Sequence, residues 1–139
     1  MKVLFICTGN TCRSPMAEGI FKELTKSSSE IAVCSAGLMA NIGENVSEYA
    51  VIACKEYNAD ISTHTAKQLT MEILSSSDYF VCMTDSHAQA LMNAGIPENS
   101  IHTLNVSDPY GGSLTLYKEC CKQIYDKLLP ITKELMREE

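Results

Sequence analysis

Short apolar runs alternate along the chain with longer segments in which apolar residues recur every three or four positions. KVLFI (2–6) is a compact apolar run with β-branched residues and reads as a buried strand. Met16, Ile20, Phe21 and Leu24 then share one face of a helix. Its expected start has Ser14 as N-cap, Pro15 at the first helical position and Glu18 as an acid in the first turn. IAVCS (31–35) reads as a second strand, stopped by Ala36-Gly37, and a helix from about Ser47 to Tyr57 presents Ala50, Val51, Cys54 and Tyr57 on one side. ISTHTAKQLT is loop-like, and MEILSSS is a short helix. DYFVCMT (78–84) predicts a third strand, followed by a helix from about Ser86 to Asn93, and IHTLN (101–105) predicts a fourth. NVSDPYGG is a loop, broken by Asp-Pro and Gly-Gly. A last helix from about Ser113 carries Tyr117, Cys121, Ile124, Leu128 and Leu135 as its core stripe. Pro130 lies inside that helix and is expected to kink or interrupt it, because proline lacks the backbone donor.

Strands alternating with helices imply an α/β fold, a parallel sheet with helices on both faces. The functional crevice of such a sheet lies outside the carboxyl ends of its strands. CTGNTCR follows strand one and NVSDPYGG follows strand four, so the two loops are expected to meet there. The 139 residues, 45% of them hydrophobic, suffice for a single domain over 1–139 and are too few for two ordinary ones. A net charge of −6 argues against a general affinity for nucleic acid or an anionic membrane. No apolar run reaches the roughly 18 residues of a membrane helix. MKVLFICTGN lacks the form of a secretory signal, so a cytoplasmic protein is expected. The seven cysteines are odd in number and form no framework. They read as reduced thiols, several of them small buried hydrophobes, and no zinc-ligand spacing is present.

CTGNTCRSP, at 7–15, is the unusual stretch. A loop that runs from a strand into a helix N-terminus gathers backbone N–H groups, and the helix dipole adds about half a positive charge. Gly9 permits the tight backbone, and Arg13 can give a two-pronged hydrogen bond to phosphate oxygens. With Cys7 at the base, the donors that hold phosphate also stabilise a thiolate, the attacking form of cysteine. The Gly-Lys-Ser/Thr of a nucleotide-binding loop is absent, which disfavours nucleotide hydrolysis. A plain strand-to-helix turn remains the bland alternative, and Asp108 alone would read as a turn former before proline.

CTGNTCRSPMAEG, SAG at 35–37, HTAKQLT at 64–70 and DPYGG at 108–112 resemble the low-molecular-weight protein-tyrosine-phosphatase family. The pieces stand in the family's order and span residues 2 to about 125. The resemblance implies a four-stranded parallel sheet, a mechanism without metal or other cofactor, a phosphorylated protein substrate and a phosphocysteine intermediate. It implies Cys7 as nucleophile, Arg13 as the clamp on phosphate and transition state, and Asp108 as general acid and then base. Thr8, Gly9, Asn10, Thr11, Cys12 and Ser14 would bind phosphate or support the loop. Ser14 would also donate to the thiolate, and Asn10, Ser14, Ser35 and His64 would form a hydrogen-bonded network that holds the loop. Cys12 is expected either to pair with an oxidised Cys7 or to be a small buried side chain. His87, His102 and the other cysteines receive no functional assignment.

Thr11 bears on which phosphate is removed. Tyrosine-specific members usually carry a bulky aliphatic residue there, and the threonine resembles the bacterial protein-arginine-phosphatase branch. Its hydroxyl could bond a guanidinium nitrogen or place the attacking water, a polar group that isoleucine would leave unpaired. Tyr110 at the rim could stack on an aromatic ring or on a guanidinium plane. Phosphoarginine is therefore the favoured substrate and phosphotyrosine the alternative.

Other classes also fit parts of the pattern. Thioredoxin-coupled arsenate reductases share a CTGNxCRS loop but need further cysteines on a mobile segment. Cys82 lies in an apolar strand here, and Cys54 and the Cys120-Cys121 pair lie in predicted helices. A phosphocarrier would need neither Arg13 nor Asp108, and a non-catalytic phosphate-binding module would not require Cys7.

Overall fold

The computed structural model describes residues 1–137, so residues 138 and 139 of the expected domain lie outside the described residues. β1 (Lys2–Cys7) leads into α1 (Arg13–Leu24), followed by β2 (Ala32–Gly37) and α2 (Glu48–Lys55). Next come α3 (Met71–Ser75), β3 (Tyr79–Cys82) and α4 (Asp85–Asn93). A 3-10 turn (Glu98–Ser100) precedes β4 (Ile101–Thr103), and α5 (Leu114–Arg137) closes the chain. The strands form one parallel sheet in the order β2-β1-β3-β4, as the alternation of elements implies.

β1 sits inside the sheet and is buried from Val3 to Cys7. Because strand side chains alternate between faces, it splits the core in two. Val3 and Phe5 pack with Met16, Ile20 and Phe21 of α1, with Ala50 and Cys54 of α2, and with Ile124 and Leu128 of α5. Leu4 and Ile6 pack on the other face with Leu74, Ala88 and Leu91. Phe5 and Phe21 meet edge to face at 5.4 Å, a preferred aromatic geometry. The helix stripes read from the sequence, those of α1, α2 and α5, thus pack together on one face of the sheet, and α3 and α4 cover the other.

Three local expectations are corrected. Helix α1 starts at Arg13 with Cys12 as its N-cap, so Ser14 is not the cap and Pro15 is not the first helical residue. No acid stands in its first turn; Glu18 is already past it. The strand at 32–37 includes Ala36 and Gly37 rather than stopping before them. Pro130 does not interrupt α5, since the helix is continuous through it. Among the described residues no helix is long and apolar enough to cross a membrane.

Candidate active site

The residues from Cys7 to Arg13 form the turn between β1 and α1 and line a cavity of about 240 Å³. Glu44, Asp108 and Tyr110 complete its wall. The two unusual loops therefore meet, as their positions after strands one and four require. Asn10 turns the loop with φ 57°, a left-handed conformation that asparagine tolerates better than most residues. Gly37, at the end of β2, lets the loop approach: a Cβ there would stand 2.6 Å from the Thr8 carbonyl oxygen. Beyond it, the Leu38 and Met39 N–H groups donate to the Cys7 and Thr8 carbonyls at 3.0 and 2.9 Å.

Cys7 is buried, and the Asn10 N–H donates to its sulfur at 3.2 Å. Ser14 Oγ lies 2.8 Å from the same sulfur. The direction of that bond follows from the neighbours. The Asn10 side-chain amide donates to both Ser14 Oγ, at 2.8 Å, and Ser35 Oγ, at 2.9 Å. Its Oδ1 accepts the Lys67 N–H at 2.9 Å, which fixes the amide orientation. Ser14 already accepts one hydrogen, so its own hydrogen is available to the sulfur. Ser35 in turn donates to Glu18 Oε1 at 2.5 Å. A directed chain of donors runs from Asn10 through Ser14 onto Cys7, and a second runs from Asn10 through Ser35 onto a buried carboxylate.

His64 closes the network. Its Nε2 lies 3.0 Å from the Asn10 carbonyl and 3.2 Å from Asn10 Oδ1. Both partners only accept, so Nε2 carries the proton. Burial pushes the His64 imidazole below its ordinary basicity, outweighing the Asn10 bond and the Glu18 charge. Nδ1 faces Glu18 Oε1 at 3.9 Å, too far for a hydrogen bond.

Arg13 is 5% exposed and its Nη1 donates to the Val106 carbonyl at 3.0 Å. Asp108 follows on that same strand-to-helix segment, with Oδ2 3.6 Å from Arg13 Nη2. Asp108 Oδ1 accepts the Tyr110 N–H at 3.0 Å, and Gly111 takes φ 77° in the turn that follows. The aspartate is thus a turn former as well as a cavity carboxylate. Tyr110 is 74% exposed at the rim.

Cys12 is buried with Sγ 3.3 Å from the Tyr117 hydroxyl. Burial pushes the Cys12 thiol up and, with the Cys12 contact second, takes the Tyr117 hydroxyl up to about 12. A sulfur held as thiol is a slow partner for an oxidised neighbour. Cys82 is buried in β3, and burial takes its thiol up to about 12. Cys54 and Cys121 lie 3.9 Å apart in the core. Among the described residues no cluster of three or more His, Cys, Asp or Glu is arranged to hold a metal ion.

The reading of the sequence gave two acids no part in the site. Glu18 stands one helical turn after Ser14, a spacing that places both on one face of α1 and was a usable signal. Glu44 reaches the cavity from the segment between β2 and α2, and no local pattern marks it.

Comparison with known proteins agrees with this geometry. A profile of the "Low molecular weight phosphotyrosine protein phosphatase" family matches residues 2–139. The chain is 33% identical to a protein-arginine-phosphatase of Bacillus subtilis (strain 168), with 99% of each chain covered. It is 35% identical to the low molecular weight protein-tyrosine-phosphatase PtpB of Staphylococcus haemolyticus (strain JCSC1435), over 89% of this chain and 92% of that one. Among solved structures it is similar to the YwlE arginine phosphatase, as a cysteine-to-serine mutant with a phosphorylated active-site serine. That match has a TM-score of 0.91 and 32% identity, covering 100% of this chain and 98% of the other.

Proposed function

The chain belongs to the low molecular weight phosphotyrosine protein phosphatase family, and from that membership we propose that it hydrolyses phosphoarginine in proteins through a phosphocysteine on Cys7. The observation that carries the choice of substrate is Thr11. It lines the cavity, and its hydroxyl meets Cys12 Sγ at 3.8 Å, a weak contact that leaves it for a substrate nitrogen. Glu44 and Asp108 line the same space, so a guanidinium entering above the phosphate meets the Glu44 carboxylate beside the carboxyl group that protonates it.

In the mechanism, the Cys7 thiolate attacks phosphorus and forms an S–P bond while the bond from phosphorus to the guanidinium nitrogen breaks. Asp108 gives its proton to the departing nitrogen, which would otherwise leave as a poor anion. Arg13 and the N–H groups of the loop hold the phosphoryl oxygens, where negative charge gathers in the transition state. Asp108 then takes a proton from water, whose oxygen attacks the phosphocysteine. Orthophosphate leaves, and the Ser14 hydroxyl receives the returning charge on sulfur. Asn10, Ser35 and His64 hold the loop, with Glu18 as the far anchor. A nucleophile that must stay reduced suits a cytoplasmic enzyme. The net charge of −6 suits a protein rather than a nucleic acid substrate.

Tyr110 favours a second reading, phosphotyrosine, because an exposed aromatic at the rim can stack on a phenol ring. The arsenate reductase reading loses ground, since Cys54, Cys82, Cys120 and Cys121 are all buried and cannot relay a disulfide outward. The test is kcat/KM on phosphoarginine and phosphotyrosine peptides for wild type and Thr11→Ile. Wild type is expected to prefer phosphoarginine, and the variant to swing toward phosphotyrosine by about tenfold or more. A wild type that already prefers phosphotyrosine overturns the substrate and leaves the cysteine chemistry standing.

A further inference from the structure

His87 has no part in the chemistry just described, yet it touches the loop that carries it. It lies in the first turns of α4, directly after β3, and is 4% exposed. Its Nε2 is 3.0 Å from Thr8 Oγ1, the side chain next to the nucleophile. Its Nδ1 is buried without a hydrogen-bond partner. The two observations together decide where the imidazole proton sits. A neutral imidazole carries one N–H, and a buried N–H without an acceptor is rarer and costlier than a bare lone pair. The proton therefore belongs on Nε2, and His87 donates to the Thr8 oxygen. Burial first, and then the nearby Arg13 charge, hold the ring below its ordinary basicity against the opposing pull of Asp108.

This assignment has a consequence for Thr8. A hydroxyl has a single hydrogen, and an oxygen that accepts from His87 keeps that hydrogen for another acceptor. Thr8 lines the cavity, where the acceptors brought by substrate are phosphoryl oxygens. Asn10, another side-chain donor of the loop, is spent on Ser14 and Ser35. We propose that His87 is a positioning residue: it fixes the Thr8 hydroxyl as a hydrogen-bond donor to the phosphoryl group held in the loop. The proposal rests on the reading of residues 7–13 as the phosphoryl site and is indifferent to whether the phosphate comes from arginine or tyrosine. If the tautomer were reversed, Thr8 would spend its hydrogen on Nε2 and contribute nothing to the anion.

The experiment is calorimetric binding of inorganic phosphate to wild type, Thr8→Val, His87→Leu, the double variant and His87→Gln. Valine removes the hydroxyl at constant shape, leucine removes the donor, and the glutamine amide restores an N–H near the Nε2 position. A hydrogen bond to a charged group predicts a Kd raised about tenfold in Thr8→Val and in His87→Leu. The double variant should be no worse than either single one, and His87→Gln should bind within a few fold of wild type. Losses that multiply in the double variant, or phosphate binding unchanged in Thr8→Val, overturn the proposal. Should His87→Leu fail to fold, nitrogen NMR of the wild-type imidazole decides: a proton on Nε2 supports the proposal and one on Nδ1 ends it. Failure of wild type to bind phosphate at all would instead strike the phosphoryl-site reading itself.

Discussion

At Asp108 the two carboxylate oxygens are in different surroundings, one in the turn with Tyr110 and one toward Arg13. Asp108→Asn keeps an oxygen for the turn bond and loses the proton, so it separates structure from chemistry. Its urea midpoint should match wild type, while kcat/KM falls by about 100-fold or more, most of all for substrates with poor leaving groups. An equal loss across a series of aryl phosphates of graded leaving-group acidity would remove the general-acid role. Cys7→Ser should retain fold and phosphate binding and lose turnover; substantial turnover in that variant would end the phosphocysteine mechanism. Cys7 and Arg13 stood out in the sequence because they are chemically distinctive residues around one short turn, whereas Asp108 alone read as a turn former and was singled out only by the family resemblance. Glu44 was not readable, since an exposed glutamate in a connecting segment looks like any solvated charge until the fold brings it over the cavity.

At the scale of elements, the end of β2 and the loop from Cys7 to Arg13 are pressed together at Gly37. Gly37→Ala would place a methyl 2.6 Å from the Thr8 carbonyl oxygen and 3.1 Å from the Asn10 nitrogen, both backbone atoms that cannot rotate away. The loop must shift, and a displaced reacting geometry costs on the order of 100-fold in kcat/KM. Activity within twofold of wild type would mean that the loop absorbs the methyl without moving its donors. The strands and helix stripes were legible because hydrophobic periodicity is a collective property of many positions. Helix ends and breakers depend on single residues, and there tertiary context decided. Ser14 looks like an N-cap, yet its hydroxyl is given to Cys7 and the helix starts two residues earlier than that cap would set it. A local rule is broken where the side chain is committed to the hydrogen-bonded network around Cys7 instead. Pro130 looks like a helix stop, but it lies on the solvent face of α5, one residue before buried Ile131 and two after buried Leu128. The core stripe continues on both sides of it, and the carbonyl its missing N–H would have satisfied, that of Asp126, is on the exposed side of the helix.

For the molecule as a whole, His64 and His87 link stability to acid. Burial depresses both imidazoles from the ordinary value of 6.5, so the fold holds them neutral. As pH falls through 6.5 the unfolded chain binds protons that the folded chain refuses, and the equilibrium moves toward unfolding. Their contribution is therefore full above pH 6.5 and is lost as pH drops from there toward the lower folded values. Each group can change stability by at most about 1.4 kcal/mol per pH unit in that window. Urea midpoints should be level between pH about 8 and about 7 and fall between pH about 6.5 and about 5.5, where most carboxylates are still ionised. His87→Gln cannot take up the proton, so its slope in that window should be shallower than that of wild type. A midpoint that rises on acidification would mean that the imidazoles charge inside the fold. His64 would then pair with Glu18 across their 3.9 Å gap. An unchanged slope in His87→Gln would mean that His87 is no more reluctant to charge in the fold than in the open chain, and the bond to Thr8 would then persist on acidification, because a charged imidazole still donates from Nε2.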